Sequence, residues 1–287
     1  MIPRELAEHH FAVAKTVLEN ALKKADVKIS DIDVIAFSQG PGIGNALAVG
    51  ALVARTLALK HNKPLLGVNH CIAHIEIGKA LCDCIDPIVV FTSGANCQII
   101  GFENGKYRVF GETLDSGIGN VLDSFGRKLG LGFPAGPILD QWYFEGKYVE
   151  LPYTVKGMDL AFSGLLTAAE KMIGKQEKKD LSHSLLHNAF AMVTEVAERA
   201  LAHTEKKELL LTGGVAASKA LRGMLEKMCE NRQAKFFVPP FEVCVDQGGM
   251  IAWQGLIEYK GGKRMKIAET TINPKQRVDD VEINYIR

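Results

Sequence analysis

The sequence predicts an α/β protein, a mixed β-sheet with helices, and three observations lead to this fold class. Apolar strands alternate with helical segments, a β-hairpin block interrupts the alternation, and glycine-containing turns follow several strands. A buried core is expected, since 47% of the 287 residues are hydrophobic and 23% are charged. The 34 basic and 33 acidic residues nearly cancel, which excludes a protein that holds nucleic acid by bulk charge alone.

The first part of the chain alternates helices and strands. An amphipathic helix opens it, and a proline suits the first turn of that helix. The predicted elements, in order, are a helix from Pro3, a strand over residues 34–37, a glycine-rich turn over 39–44, a helix to about residue 60, a strand over 65–68 and a helix from His70.

From residue 87 the pattern changes to a hairpin whose turn, Asn104-Gly105, is typical of two-residue loops. The predicted elements that follow are strands over 88–92, 98–102 and 107–112, helices over 118–128, 138–144, 160–172 and 181–203, a strand over 209–212, a helix over 218–230, a strand over 236–238 and a helix over 248–259. The change of pattern predicts lobe I over residues 1–86 and lobe II over residues 87–259. A C-terminal tail is expected over residues 260–287.

Cysteine usage and hydropathy bear on the cellular environment. The six cysteines are scattered and no signal-peptide pattern opens the sequence, which indicates reduced thiols. The most apolar stretch, residues 46–59, contains Arg55 and falls short of the about 18 unbroken apolar residues that a membrane span needs. We therefore expect a soluble, cytoplasmic protein with no membrane and no DNA partner.

Two histidines, His70 and His74, stand four residues apart at the start of a predicted helix, with Asn69 as its N-cap. Such residues share a helix face, with Cβ atoms about 5–6 Å apart, and can bind one metal ion. Asp246, before the last helix, is the candidate third ligand; two ordinary surface histidines are the alternative interpretation. A zinc-protease site is disfavoured because Cys71 stands where that motif has its general-base glutamate.

Two glycine-containing turns after apolar strands predict a nucleotide site. In the first turn, small and hydroxyl side chains let backbone N–H groups approach phosphate oxygens, and in the second a flat adenine or ribose can lie against the glycines. Each turn alone is a weak signal, and together they predict two walls of one cleft. The residues are Phe91, Thr92, Ser93, Gly94 and Ala95 in the first turn and Gly213 and Gly214 in the second.

Four acids lie in glycine-rich surroundings: Glu112, Asp115, Asp123 and Asp140. Ribose-hydroxyl acceptors are one interpretation, since acids near nucleotide turns often have that role. Helix caps and turn residues are the other, because aspartate commonly supplies them.

Several motifs, taken in order, resemble the TsaD-type tRNA threonylcarbamoyltransferases. The resemblance is to the archaeal and eukaryotic members that form the catalytic subunit of the KEOPS complex, and it spans essentially the whole chain. An older description of the family as O-sialoglycoprotein endopeptidases is disfavoured by the missing glutamate. The motifs are His70-Cys71-Ile72-Ala73-His74, Gly111-Glu112-Thr113-Leu114-Asp115, residues 155–164, Gly213-Gly214-Val215-Ala216 and Asp246-Gln247-Gly248.

The resemblance implies an actin-like, sugar-kinase-like (ASKHA) ATPase fold with two lobes. It implies transfer of a threonylcarbamoyl group from threonylcarbamoyl-AMP to the N6 amine of the adenosine 3′ to the anticodon, in tRNAs that read ANN codons. It also implies tRNA, a small dimerising subunit and a kinase-like subunit as partners in a KEOPS-type complex.

By position, the resemblance assigns His70, His74 and Asp246 to one divalent metal ion, usually iron and sometimes zinc. This ion would polarise the carbamoyl carbonyl as a Lewis acid. Residues 91–95 would cradle the phosphate and acyl group of ATP or threonylcarbamoyl-AMP, with backbone donors at Ser93 and Gly94. The nucleotide would be bound by Asp123, Gly136, Asp140, Gly213, Gly214 and Ser218.

The chain departs from the family pattern in several places. Phe91 stands where archaeal members usually have a tyrosine metal ligand, Ala95 replaces a glycine, and Ser218 replaces an asparagine. Asp140 is one methylene shorter than the common glutamate. Family members also begin with a hairpin that supplies the first phosphate loop, and this sequence starts after it, which predicts an exposed sheet edge and weaker ATP binding. Phe91, Ser218 and the missing hairpin favour the alternative of a weakened or inactive nucleotide-binding scaffold subunit, whereas the intact His70, His74 and Asp246 favour the transferase.

Two basic runs are candidates for tRNA contact, with solvated loops as the alternative interpretation. Contact with phosphates would make tRNA affinity depend on salt, and neutralising the runs would flatten that dependence. The first run is Lys171, Lys175, Lys178 and Lys179, and the second is Lys260, Lys263, Arg264 and Lys266.

Overall fold

The computed structural model describes residues 3–285, so residues 1 and 2, where predicted lobe I begins, lie outside the described part. The helices within it are α1 (Pro3–Ala25), α2 (Gly44–His61), α3 (His70–Cys82), α4 (Ile118–Lys128), α5 (Gly136–Tyr143), α6 (Ser163–Lys171), α7 (Lys178–Thr204), α8 (Lys219–Arg232), α9 (Phe241–Cys244) and α10 (Gly248–Lys260). The strands are β1 (Ile35–Gly40), β2 (Leu65–Asn69), β3 (Ile88–Thr92), β4 (Cys97–Glu103), β5 (Lys106–Glu112), β6 (Val155–Lys156), β7 (Asp159–Leu160), β8 (Glu208–Thr212) and β9 (Lys235–Phe237). The predicted α/β class is confirmed.

The described residues form two compact units. Unit 1 contains residues 3–77, 105–107 and 247–285, and unit 2 contains residues 78–104 and 108–246.

Unit 1 is built on the parallel strand pair β1–β2, in which Ile35 is paired with Leu65. Helices α2 and α10 both pack on β1, and α1 packs on α2. Small side chains of α2 let that helix lie close to the strands. The buried core of this unit consists of Phe37, Ala51, Ala54, Ala58 and Leu65.

The last helix, α10, packs on β1 and β2 in unit 1. A Cβ added to Gly255 would lie 2.3 Å from the Cβ of Ala36, so the helix backbone approaches the strand closely. The structure therefore differs from the predicted lobe II over residues 87–259, because an apolar helix carries no local signal for the sheet that it covers. The change from unit 1 to unit 2 also falls within α3, nine residues before the predicted boundary at residue 86.

The segment after α10, predicted as a tail, is packed on unit 1. The Asn273 amide donates to the Gln39 carbonyl oxygen at 2.8 Å, and Lys263 Nζ donates to the Gly67 carbonyl oxygen at 3.2 Å. A Cβ on Gly40 would lie 1.9 Å from the Asn273 carbonyl oxygen, so this close approach requires glycine. These hydrogen bonds make the segment part of the unit.

Unit 2 is organised around a five-stranded sheet with the order β5-β4-β3-β8-β9. Strand β3 is antiparallel to β4 and parallel to β8, and β8 is parallel to β9. The long helix α7 buries Phe190, Val193 and Ala197 in the same core as the sheet residues Val90 and Leu211. This sheet positions the turns that follow β3 and β8.

The structure also bears on the expected environment. Within residues 3–285, no helix combines the length and the apolar character needed to cross a bilayer. None of the six cysteines forms a disulfide with another described residue. Burial raises the pKa of the Cys97 thiol to about 12, which makes this thiol unreactive.

Candidate functional site

The turns after β3 and β8 lie side by side because these strands are parallel neighbours. Phe91 of β3 is paired with Thr212 of β8. The next residue of β3, Thr92, also contacts Thr212, although these two residues are 120 positions apart in the chain. Gly213 has a φ of +93°, and a Cβ there would lie 2.2 Å from the Thr92 carbonyl oxygen. Ligands of α/β proteins commonly bind at the carboxyl ends of parallel strands. The two predicted turns are therefore brought together at such an edge.

The turn after β3 is closed by its own hydrogen bonds and held by the start of α4. The Ser93 amide donates to the Asn96 carbonyl oxygen at 2.8 Å, and the Asn96 amide donates to Ser93 Oγ at 3.1 Å. The Gly119 amide donates to the Ser93 carbonyl at 3.1 Å, and the Asn120 amide to the Gly94 carbonyl at 2.9 Å. The Ser93 amide is thus engaged within the turn, and its contact with a phosphate stays a prediction.

Only part of the predicted phosphate stretch is accessible. Phe91 and Thr92 are buried in β3, whereas Gly94 and Ala95 are exposed and Ser93 is partly exposed. Thr92 Oγ1 lies within the core, 3.5 Å from the Thr212 carbonyl oxygen. A ligand can therefore contact this stretch from Ser93 onwards.

A cavity of about 820 Å³ opens in unit 2 and is mostly apolar. This volume is within the range of about 300–1,000 Å³ of small-molecule sites. Of the predicted nucleotide-binding residues, those that line it are Gly94, Asp123, Gly136, Asp140, Gly214 and Ser218. Those that do not line it are Phe91, Thr92, Ser93, Ala95 and Gly213.

Several residues of this cavity were not predicted from the sequence. Leu186 and Phe190 of α7 line it and share a helix face, but apolar residues at helical spacing cannot be told from core residues by pattern. Phe241 carries no motif signal, and its side chain is 48% exposed. The other missed residues that matter for polarity are Gln141, Glu145 and Lys219.

Asp140 and Ser218 are joined at the start of α8. The Asp140 carboxylate accepts a hydrogen bond from Ser218 Oγ at 2.5 Å and from the amides of Lys219 and Ala220 at 2.9 and 3.2 Å. Ser218 Oγ accepts from the Leu221 amide at 3.1 Å. Both side chains therefore cap the helix, where a negative charge also interacts favourably with the helix dipole.

Two further predicted acids also accept backbone hydrogen bonds. Asp123 Oδ1 accepts from the Ala135 amide at 2.8 Å, and Asp115 accepts from the amides of Phe162 and Ser163 at 3.0 and 2.9 Å. Burial acts to raise the pKa of Asp115, but these amides hold it below its ordinary value. Asp115 thus has the role of a helix cap at α6, while Asp123 lines the cavity.

The two histidines of the predicted metal site lie on the first turns of α3. Asn69 Oδ1 accepts from the Ile72 amide at 3.1 Å, which confirms the predicted N-cap. The ring centroids of His70 and His74 are 4.9 Å apart, and the His74 side chain is buried. The i, i+4 spacing therefore brings the imidazoles together as predicted.

Asp246 lies two residues before the first residue of α10. One side-chain ligand atom from each of His70, His74 and Asp246 lies within 4.8 Å of the others. Two imidazole nitrogens and a carboxylate oxygen form a donor set that suits iron or zinc. The residues present therefore fit a divalent cation.

The two basic runs differ in how far their charges are engaged. Lys171 and Lys175 are exposed near the end of α6, while Lys178 Nζ donates to the Leu129 carbonyl oxygen at 3.2 Å and Lys179 is paired with Glu145. In the second run, Lys263 is paired with Glu258 at 2.6 Å, and the Arg264 guanidinium lies 3.8 Å from the centroid of the Tyr259 ring. Lys263 is thus part of the fold of unit 1.

A family model described as "TsaD: tRNA N6-adenosine threonylcarbamoyltransferase" matches residues 1–253. The tRNA N6-adenosine threonylcarbamoyltransferase of Thermococcus kodakarensis is 54% identical over 98% of this chain and 87% of that protein. Its counterpart from Thermococcus sibiricus is 53% identical over 99% of this chain and 88% of that protein. A probable bifunctional tRNA threonylcarbamoyladenosine biosynthesis protein of Methanocaldococcus jannaschii is 52% identical, and the chain covers 53% of its length.

Among solved structures, HypF from T. kodakarensis has a TM-score of 0.66 at 15% identity, over 82% of this chain and 42% of HypF. A phosphate- and nucleotide-bound HypF has a TM-score of 0.63 at 15% identity, over 87% of this chain and 41% of that protein. The chain thus spans about two fifths of HypF, and at this identity the likeness concerns the fold alone. It supports the α/β fold, and the finer actin-like assignment stays a prediction.

The relatives are named as transferases or biosynthesis proteins, which favours the transferase over the scaffold and metalloprotease alternatives. Their identity of more than 50% extends over nearly the whole chain. The resemblance seen in the motifs is confirmed: the chain belongs to the TsaD family of tRNA N6-adenosine threonylcarbamoyltransferases.

Proposed function

We propose that this chain transfers a threonylcarbamoyl group from threonylcarbamoyl-AMP to the N6 amine of the adenosine 3′ to the anticodon, in tRNAs that read ANN codons. The observation that carries this proposal is the family match over residues 1–253, supported by relatives that are more than half identical. No strong protein nucleophile is required, because the donor is already an activated mixed anhydride. The chain then has to bind the donor, orient its carbonyl and admit the amine.

His70, His74 and Asp246 are the residues that would hold a divalent cation, iron or zinc. When bound, such a cation supplies a Lewis acid for the carbamoyl carbonyl. The chain contributes the placement of the ligands: Asn69 caps α3, and the buried position of His74 limits the motion of its ring. A histidine with restricted motion loses less conformational entropy on binding a cation.

The adenylate part of the donor is proposed to bind in the cavity of unit 2. A Cβ on Gly214 would meet no atom within 4 Å, so the backbone there is open to a flat base. The exposed Gly94 takes the role of backbone donor to the phosphate, since the Ser93 amide is engaged with Asn96. The phosphate therefore belongs at the β3 turn, while the Asp140 carboxylate already occupies the start of α8.

Three finer features are proposed on the strength of the family alone. These are an actin-like, two-lobed ATPase fold, association with a small dimerising subunit and a kinase-like subunit in a KEOPS-type complex, and a cytoplasmic location. ATP is an alternative occupant of the adenylate site.

Contact with tRNA is proposed for the exposed part of the first basic run. Lys171 and Lys175 are the candidates, because Lys178 and Lys179 are engaged in hydrogen bonds within unit 2. Each phosphate that the protein no longer neutralises reduces the slope of log affinity against log salt by about 0.7–0.9. Replacing Lys171 and Lys175 with glutamine should therefore flatten the slope, and an unchanged slope would exclude a role for these lysines in tRNA binding.

The function is tested in a reaction with purified full chain, threonylcarbamoyl-AMP, the partner subunits and a tRNA that reads an ANN codon. Mass spectrometry of the digested tRNA should detect threonylcarbamoyladenosine with the wild type. We expect His70→Ala to lower the rate by at least about 100-fold, as loss of a group that acts on charge in the transition state does. His61→Ala, a histidine substitution at the end of α2, is the matched control and should leave the rate unchanged.

Metal analysis separates failure of the metal site from failure of the reaction. We expect about one equivalent of iron or zinc per chain in the wild type and a loss in His70→Ala. An unchanged rate in His70→Ala would show that the metal mechanism is wrong. Full metal content without any modified tRNA would contradict the transferase and leave the metal site intact.

A further inference from the structure

A buried carboxylate on α3 receives two tyrosine hydroxyls. Glu76 lies two residues after His74, and its side chain is 7% exposed. Tyr107 Oη donates to Glu76 Oε1 at 2.5 Å, and Tyr285 Oη donates to the same oxygen at 3.3 Å. The carboxylate of α3 is thereby fastened to β5 and to the C-terminal segment of the chain.

Tyr285 also connects this carboxylate to α10. Its oxygen accepts a hydrogen bond from Gln254 Nε2 at 2.9 Å, and the same nitrogen donates to Glu258 Oε1 at 2.8 Å. Gln254 is fully buried. Burial raises the pKa of the Tyr285 phenol, and the nearby Glu76 carboxylate raises it further, so the hydroxyl remains a donor.

Lys263 extends the same set of hydrogen bonds to β2. Its Nζ donates to Glu258 Oε2 at 2.6 Å and to the Gly67 carbonyl oxygen at 3.2 Å. Strand β2 ends at Asn69, directly before His70. Hydrogen bonds therefore join β2, α3 and α10, the three elements that carry or adjoin the proposed metal ligands.

We propose that Tyr285 is a positioning residue for the metal site, because its hydroxyl holds α3 against α10. Helix α3 carries His70 and His74, and α10 begins two residues after Asp246. This inference rests on the proposed function in taking these three residues as ligands. Metal–ligand distances tolerate deviations of only about 0.2 Å. A small shift between the two helices therefore weakens coordination without unfolding either helix.

The test uses the full chain, stripped of metal and titrated with Co²⁺ while the visible absorbance is followed. Tyr285→Phe removes the hydroxyl and keeps the ring. We expect the Co²⁺ dissociation constant to rise about 3–10-fold, less than the 10–100-fold typical of groups bonded directly to a ligand. The matched control is Tyr259→Phe, which makes the same substitution at a tyrosine of α10 that lies outside this set of hydrogen bonds. It should leave the Co²⁺ dissociation constant unchanged.

A purely structural role would lower the unfolding midpoint of the metal-free protein and leave the Co²⁺ affinity and spectrum of the folded protein unaltered. That result in Tyr285→Phe would overturn the inference and leave the transferase proposal standing. A wild type that binds no Co²⁺, or binding that persists in His70→Ala, would overturn both. The two failures are therefore distinguishable.

A second variant covers the case in which Tyr285→Phe does not fold. Gln254→Met removes the donor to Tyr285 and keeps a side chain of similar length. We expect it to raise the Co²⁺ dissociation constant by a similar factor. Where both single variants fold, the double variant should bind Co²⁺ about as weakly as either one, because both break the same connection. Multiplicative effects, or an unchanged constant in Gln254→Met, would contradict the inference.

Discussion

Replacing Gly213 with alanine tests the close approach of the turns that follow β3 and β8. The φ of Gly213 is +93°, and an added Cβ would lie 2.2 Å from the Thr92 carbonyl oxygen and 2.8 Å from its carbon. Both are backbone atoms at the end of the central strand β3, so they cannot rotate away as a flexible side chain can. A methyl group at this position therefore forces β3 or the turn to move.

Two costs add in this variant. A residue with a side chain in a sparsely populated backbone region costs about 1–3 kcal/mol. Inserting a group into a well-packed region costs about 1–3 kcal/mol more. We expect Gly213→Ala to lower the free energy of unfolding by roughly 2–6 kcal/mol. This is a large part of the about 5–15 kcal/mol that a domain typically has.

Urea unfolding followed by circular dichroism measures this change. Gly214→Ala is the matched control, because a Cβ there would meet no atom within 4 Å and its φ is not positive. The control should stay within about 0.5 kcal/mol of the wild type. A Gly213→Ala protein as stable as this control would refute the reasoning, since the two turns could then not approach each other as described.

Three further predictions concern the starts of helices. Asn69→Ala removes the cap of α3 and should lower the free energy of unfolding by about 1 kcal/mol in urea titrations; an unchanged free energy would contradict the capping role. The pKa of Asp115 is lower in the folded protein, so its stabilisation is present above its ordinary pKa of about 3.9 and is lost as the pH falls through the lower folded value. The difference in thermal midpoint between the wild type and Asp115→Asn should therefore shrink between about pH 7 and pH 2, and a constant difference would contradict this. Asp140→Ala and Ser218→Ala should each lower the free energy of unfolding by about 1 kcal/mol, and the double variant should lower it by at least about 0.5 kcal/mol less than the sum of the two. Additive losses would show that the two caps are independent.

Elements with strong signals in neighbouring residues can be predicted from the sequence. The Asn104-Gly105 turn has φ values of +53° and +77°, which is the conformation that this dipeptide favours in two-residue hairpin loops. The N-cap at Asn69 and the helix from His70 are likewise found as predicted. In each case the decisive interactions are made within a few residues of chain.

Packing partners distant in the sequence could not be predicted in this way. Helix α10 covers β1 and β2 because Gly255 lets it approach Ala36, more than 200 residues earlier in the chain. The hydrogen bond from the Asn273 amide to Gln39 depends equally on residues far apart. Neither contact leaves a pattern in the sequence that reveals the partner of α10 or of the segment that follows it.

The candidate site shows the same division. The sequence indicates some of the residues that gather there, since Asp123, Asp140 and Ser218 line one cavity. It does not show which hydrogen bonds they make, because Asp140 and Ser218 are 78 residues apart and meet only when α5 packs beside the start of α8. The engagement of the Ser93 amide within its own turn is also a property of the folded backbone.

The hydrogen bonds of Asp140 limit how a nucleotide can use this carboxylate. A carboxylate has about four lone-pair sites, and Asp140 uses three of them on Ser218 and on the first two amides of α8. One ribose hydroxyl can therefore be accepted without loss, whereas accepting two would displace a cap worth about 1 kcal/mol. The Ala135 amide occupies one site on Asp123, which lines the same cavity. A ribose with both hydroxyls bound is thus accommodated best when it is shared between the two acids, with Asp140 contributing a single acceptor.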